Sequence, residues 1–344
     1  MRFWFRKGID GFRVDVLWHL IKDAGFRDNP PNPNFHSGRP PHEERLPVYS
    51  TDRSETLDVV TEMRRVVDEF SDRVLVGEIY LPVDRLVAYY GKDLSGAHLP
   101  FNFGLLSAPW NARAIAKLID DYERVLPAAA WPNWVLGNHD RPRVASRVGR
   151  PQARIAAMLL LTLRGTPTLY YGDEIGMRQV AIASNQVLDP FEKNVPGIGV
   201  GRVGCRTPMQ WDAEAHAGFS TGVPWLPLAE DYVQDNVAIL SAEAHSILNL
   251  YRALIELRKA TPVLVAGSYA PVAATGDLLA YRREYGGEVL LIVLNLGADP
   301  ITIGSETMAF PGKILLSTNL DRTGETVSGG LILRVEEGLI IRLR

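Results

Sequence analysis

The sequence predicts an α/β fold: part of a (β/α)8 barrel, followed by an antiparallel β-sandwich domain. Two observations predict the barrel. Apolar runs and amphipathic stretches alternate from the N-terminus to about residue 260, which implies parallel strands joined by helices. Three of the apolar runs end in an acid: Gly11-Phe12-Arg13-Val14-Asp15, Val74-Leu75-Val76-Gly77-Glu78 and Trp134 to Asp140. Acids gathered at the C-terminal ends of parallel strands suit a barrel, whose site lies on that face. A doubly wound sheet would carry a glycine-rich phosphate turn, and none is visible. A third observation predicts the second domain: after Pro262 the pattern changes to short strands and turns.

Residues 1–7 read as the last turns of an amphipathic helix, with Gly8 as its C-cap. Phe12, Val14 and Val16 alternate with Arg13 and Asp15, as a strand requires. A Pro/Asn/Gly-rich segment from Phe26 to Thr51 is long enough to be a functional loop. Asp52 or Ser54 can cap the next helix, whose apolar positions Leu57, Val60, Met63, Val67 and Phe70 share one face. After the strand ending at Glu78 come a short helical piece (Val83 to Tyr90) and a strand over His98–Phe103. Ala112 to Val125 is helical, with Ile115, Leu118, Ile119 and Tyr122 on one side. The strand ending at Asp140 follows. Pro151 to Leu163 forms an apolar helix with proline near its start, and Gly165–Gly172 a last strand. Residues 173–240 are irregular, and a helix runs from about Ser241 to Lys259. Leu278–Glu284 and Glu288–Leu294 flank Tyr285-Gly286-Gly287, a hairpin signal. Ile314–Leu316, Leu331–Val335 and Leu339–Leu343 supply further strands. The predicted domains are therefore 1–262 and 263–344.

Composition excludes several classes. Hydrophobic content of 46% and charged content of 22% are those of a globular chain. A net charge of −3 gives no electrostatic reason to expect nucleic acid or an anionic membrane as partner. No apolar run approaches the roughly 20 residues that span a bilayer. Cys205 is the single cysteine, so no intrachain disulfide can form, which fits a reducing, cytoplasmic location. The histidines His19, His36, His42, His98, His216 and His245 show no paired ligand spacing, so neither a metal nor another cofactor is expected.

Three converging carboxylates suit glycoside hydrolysis, in which one acid attacks the anomeric carbon and another protonates the leaving oxygen. Arg13 beside Asp15 favours its ionised form, whereas burial behind an apolar strand would raise the pKa of Glu78. Asp140, next to Asn138 and His139, is placed to steady developing positive charge. Taken singly, each acid is more often a surface residue or helix cap. Phe101, Phe103, Trp211 and Trp225 read as core or loop packing; stacking of one of them on a sugar ring is the alternative.

Together these stretches resemble glycoside hydrolase family 13, the α-amylase family, and within it the α-glucosidase and oligo-1,6-glucosidase branch. Gly11-Phe12-Arg13-Val14-Asp15 is similar to the nucleophile motif, Val76-Gly77-Glu78 to the acid/base motif, and Asn138-His139-Asp140 to that of the third acid. Gly165 through Met177 resembles the final barrel strand and its loop, and Arg206 to Asp212 the loop beyond it. The resemblance implies a retaining α-glucosidase acting on a small oligosaccharide or disaccharide. Asp15 would be the nucleophile, Glu78 the acid/base and Asp140 the transition-state stabiliser. Arg13 and His139 would bind the sugar in subsite −1, and Arg206 the non-reducing-end glucose. Val16 is the residue type of α-1,6-acting members. The resemblance starts mid-family, in the helix before strand four, so the expected barrel is strands four to eight of eight. Such a piece, expressed alone, is expected to expose sheet edges and to be inactive. Two alternatives remain: a glucosyl-transferring isomerase of the trehalose synthase type, and a catalytically silent fragment or binding protein like the transporter-associated chains of this fold.

Overall fold

The computed structural model describes residues 1–39, 41–194, 201–304 and 311–344. The chain divides into two units: Met1–Phe103 with Asp121–Trp134, and Gly104–Asp120 with Val135–Arg344.

The first unit is built on a parallel sheet of β1 (Gly11–Val14), β2 (Val74–Gly77) and β3 (Leu99–Pro100), in that order. The register pairs Phe12 with Leu75, Arg13 with Val76 and Val14 with Gly77. The residue after each paired end, Asp15 and Glu78, is therefore delivered to the same level. The Glu78 amide donates to the Val14 carbonyl at 3.0 Å, which carries the pairing one step beyond the strand. Leu17 packs close over Gly77: a Cβ there would lie 2.6 Å from Cδ2 of Leu17, so a larger residue would require that side chain to move. β3 is shorter than the predicted 98–103 run, because beyond Pro100 only Asn102 continues as a bridge, to Trp134. Leu17, Leu75, Ile79, Leu86, Tyr89 and Tyr90 are buried in this unit.

The helix Ser54–Val67 sinks Val60 and Val67 into that core, as its period requires. Its cap differs from the expectation. Arg53 is the N-cap and offers no side-chain bond. The Asp52 carboxylate is instead taken by the Arg85 guanidinium, at 2.7 and 3.2 Å, and by the Tyr89 hydroxyl at 3.0 Å. Charge-assisted partners outcompete a single backbone N–H.

The chain passes into the second unit along β4 (Asn133–Val135). There the helix Arg150–Thr162 is buried on nearly every side, and β5 (Thr166–Thr168) follows it. The helix predicted from Ser241 is two helices. Asn236 caps Val237–Ala242, and Ser246 caps Ile247–Ala260 by accepting from the Asn249 amide at 3.1 Å. Local hydroxyl and amide caps thus interrupt a continuous apolar period.

The C-terminal residues of this unit form a six-stranded antiparallel sheet and a two-stranded one. Their strands are β6 (Ser268–Thr275), β7 (Leu278–Tyr285), β8 (Glu288–Asn295), β9 (Ile301–Ile303), β10 (Gly312–Ser317), β11 (Thr326–Val327), β12 (Leu331–Leu333) and β13 (Gly338–Leu343). The larger sheet has the order β11-β10-β13-β8-β7-β6, and β12 pairs with β9. Leu291, Val293, Leu339 and Ile341 of the first share one core with Ile303, Leu331 and Leu333 of the second. Gly286 and Gly287, at φ +59° and +83°, close the predicted β7–β8 hairpin in two residues. The proline of β6 sits on the outermost strand beside a register shift, where a missing N–H is tolerated.

Two arginines finish the Arg150–Thr162 helix. Arg258 donates to the carbonyls of Leu161 (2.8 Å), Leu163 (3.3 Å) and Gly165 (2.5 Å). Arg283, fully buried on β7, donates to the carbonyls of Thr162, Leu264 (3.3 Å), Gly267 (2.9 Å) and Ser268 (2.9 Å). The last carbonyls of a helix lack partners within it and carry partial negative charge, so cations satisfy both needs.

Candidate active site

Arg13, Asp15 and Glu78 lie together at the ends of β1 and β2. Arg13 uses one guanidinium nitrogen for the Asp15 carboxylate and the other for Glu78, at 2.8 Å. Glu78 is buried, its side chain 4% exposed, whereas that of Asp15 is 72% exposed. The two carboxyls are hydrogen-bonded to each other, and the pKa of Glu78 is raised. Burial is the main cause, and the Asp15 carboxylate adds to it; the Val16 amide and Arg13 oppose it. A buried carboxyl with a raised pKa beside an exposed one is the arrangement that acid-assisted displacement at a sugar carbon calls for.

Val16 contributes through its backbone. It stands at φ +40°, ψ +47°, a left-handed conformation that a β-branched residue rarely adopts. This turn aims its N–H at Oε2 of Glu78, 3.0 Å away. The Leu17 amide then donates to the Glu78 carbonyl at 3.0 Å. A strained turn held by two bonds to one acid is the kind of outlier that clusters at functional sites. Below it, Tyr80 stacks on Phe103 at 4.2 Å and meets Trp18 at 5.7 Å. Phe103 is buried, in keeping with a packing role, whereas Trp211 and Trp225 of the second unit are exposed.

In the second unit His139, Asp140 and Arg206 lie together. The Asp140 amide donates to the Asn138 side chain at 3.0 Å, which shapes the turn. Nε2 of His139 is 3.4 Å from Oδ2 of Asp140. Arg206 reaches Oδ1 of Asp140 at 2.8 Å and the His139 carbonyl at 2.8 Å. Sequence reasoning missed Arg202, which also contacts Oδ1 of Asp140, at 3.2 Å, and its carboxylate partner Asp189. Their one signal was charge inside an irregular stretch, an arginine four residues before Arg206. Asp173, beneath this turn, packs its carboxyl against Gly137; burial pushes its pKa up to about 7, against the pull of Arg143.

Among the described residues no group of three or more His, Cys, Asp or Glu side chains could hold a metal ion. No described helix is long and apolar enough to cross a membrane.

Comparison with known proteins places this geometry in a family. Residues 1–267 match the alpha-amylase catalytic domain. The salivary alpha-glucosidase of Anopheles gambiae is 36% identical over 335 residues, covering 91% of this chain and 55% of the relative. The chain thus spans about half the length of the curated relatives it matches. The crystal structure of the alpha-glucosyl transfer enzyme XgtA superposes with a TM-score of 0.88 at 31% identity, over 100% of this chain and 65% of that one. The trehalulose synthase MutB of Pseudomonas mesoacidophila MX-45 gives 0.86 at 26% identity, over 100% and 67%. With its C-terminal antiparallel sheets behind a catalytic-domain match of that extent, the chain belongs to the alpha-amylase family of glycoside hydrolases.

Proposed function

We propose that the protein is a retaining α-glucosidase that releases terminal α-linked glucose from disaccharides or small oligosaccharides. One observation carries the proposal: a buried Glu78 with a raised pKa, hydrogen-bonded to an exposed Asp15 that Arg13 also grips. Asp15 attacks the anomeric carbon while Glu78 protonates the departing oxygen. Glu78 then deprotonates the water that releases glucose from the aspartyl ester. By the family resemblance Asp140 steadies the oxocarbenium-like transition state, Arg13 and His139 bind the sugar in subsite −1, and Arg206 holds the terminal glucose. On this reading residues 1–262 supply the last five strands of a catalytic barrel and 263–344 a β-sandwich domain.

The test is p-nitrophenyl α-glucoside hydrolysis by the polypeptide as the cell makes it, with the first-formed glucose anomer read by proton NMR. Retention gives α-glucose first. β-Glucose first would replace the double displacement by a single one, and absence of turnover would favour a silent binding protein.

A second reading, glucosyl transfer to a sugar rather than water, has one observation in its favour: the likeness to XgtA and to the trehalulose synthase. Chromatography of the products from maltose separates the two, since hydrolysis yields glucose alone.

Linkage choice is assigned to Val16, half-exposed beside the nucleophile. Val16→Thr keeps the branch at Cβ and so leaves the left-handed turn as it is. It is expected to move the kcat/KM ratio for isomaltose over maltose toward maltose by about 10-fold, since one group in a pocket is worth roughly 1–3 kcal/mol. An unchanged ratio would assign linkage to other loops.

A further inference from the structure

The Asp140 carboxylate is held by two arginines that are themselves held very differently. Among the described residues Arg206 hydrogen-bonds the 139–140 turn, through Oδ1 of Asp140 and the His139 carbonyl. Arg202 gives a single nitrogen to Asp140 and forks its other two onto Asp189, with Nη2 to Oδ1 at 2.6 Å and Nε to the second oxygen. The Asp189 side chain is only 6% exposed, so the carboxylate half of this pair is withdrawn from water, whereas the Arg202 side chain is 29% exposed. The backbone under Arg202 is pinned as well. Gln179 donates its side-chain amide to the Gly201 carbonyl at 2.5 Å. The Val180 amide donates to the Gly204 carbonyl at 3.1 Å, and the Cys205 thiol to the Arg202 carbonyl at 2.9 Å. A planar guanidinium forked on a buried carboxylate keeps its orientation when a third contact changes.

Among the described residues Arg206 has no such anchor. If it grips the terminal glucose, as proposed above, it must give up part of its hold on Asp140 whenever substrate arrives. Asp140 then needs another partner to stay in place at the moment when positive charge develops on the sugar.

We propose that Arg202, anchored by Asp189, is a positioning residue that keeps the Asp140 carboxylate in place while Arg206 turns to substrate. The inference rests on the reading of Asp140 as a reacting-site acid. Asp189 then acts at one remove, and neither residue needs to touch the sugar. Its effect belongs to the transition state, where a misplacement of about 1 Å costs on the order of 10²-fold. Arg206 serves ground-state binding too.

The two roles predict different kinetics. Asp189→Asn is expected to lower kcat by about 10²-fold with KM nearly unchanged, because what is lost acts only in the transition state. Asp189→Glu, which restores the carboxylate, is expected to recover part of that loss. Arg206→Lys is expected to raise KM. A rise in KM with unchanged kcat in Asp189→Asn would overturn the proposal, and so would the same loss in Asp189→Glu as in Asp189→Asn. Arg202→Lys, which keeps the charge but cannot fork, gives the same kinetic reading should Asp189→Asn fail to fold. Crystal structures give a readout that does not depend on turnover. In Arg206→Ala, Asp140 is expected to stay within hydrogen-bonding distance of Arg202; an Asp140 that turns away would overturn the proposal. A wild-type polypeptide without turnover, but with Asp140 kept on Arg202 in Arg206→Ala, would instead refute the reading of the site and leave the anchoring intact.

Discussion

Asp15→Asn is expected to lower kcat on p-nitrophenyl α-glucoside by about 10⁴-fold or more, the scale on which a reacting group that works as a unit with its neighbours is lost. The amide has the size of the carboxylate and can still accept from Arg13, so folding and substrate contacts should persist. What it lacks is the anionic oxygen that forms the bond to the sugar. The substitution also removes the charge that helps to raise the pKa of Glu78, so less of the proton donor is present at a given pH as the nucleophile is lost. The measurement has a chemical counterpart. Wild-type protein quenched during turnover of 5-fluoro-α-glucosyl fluoride should carry its glucosyl adduct on the peptide that contains Asp15. An adduct on any other carboxylate would reassign the nucleophile.

Glu78→Gln should cost about 10²–10⁴-fold on maltose or isomaltose, the range in which a positioned proton donor contributes. It should cost much less in bond cleavage on p-nitrophenyl α-glucoside, whose leaving group departs without a proton. The pH profile gives an independent check. With Glu78 in the proposed role of acid, kcat/KM is expected to fall as pH rises through its raised pKa, and this alkaline limb should vanish in Glu78→Gln. The stability contribution has the same sign. A carboxyl whose folded pKa is raised favours the folded state most below its unfolded value, and that advantage is lost as pH climbs through the folded one. Equal losses on both substrates would contradict the assignment of Glu78.

How much of this was legible in the sequence depended on whether a feature leaves a period. Strands β1 and β2 are apolar runs that stop at an acid, and parallel register does the rest, so Asp15, Glu78 and their neighbour Arg13 could be read directly. The β7–β8 hairpin announced itself through two glycines. The Ser54–Val67 helix was legible, but its cap was not, because Asp52 had better partners far along the chain in Arg85 and Tyr89. The left-handed turn at Val16 has no local signature, since valine is a poor candidate for positive φ and tertiary bonds to Glu78 hold it there. Arg202 and Asp189 sit in a stretch without repeat, and only folding joins them to Asp140. Asp173 opens a stretch without repeat, and its burial against Gly137 has no local signature.

The arginines that close the Arg150–Thr162 helix bear on how the second unit comes apart. Arg283 belongs to β7 and Arg258 to the Ile247–Ala260 helix, yet each gives hydrogen bonds to the end of one earlier helix, Arg283 through the Thr162 carbonyl. That helix cannot fray from its C-terminus without stranding a buried guanidinium, and β7 cannot peel away without baring the helix carbonyls. Segments 93 to 121 residues apart are thereby made one cooperative block. In native-state hydrogen exchange, amides of the last turn of Arg150–Thr162 and those of β7 should open with a common free energy and a common denaturant dependence. Arg283→Met should uncouple them, so that the helix end exchanges through small local fluctuations while the sheet still waits for the larger opening.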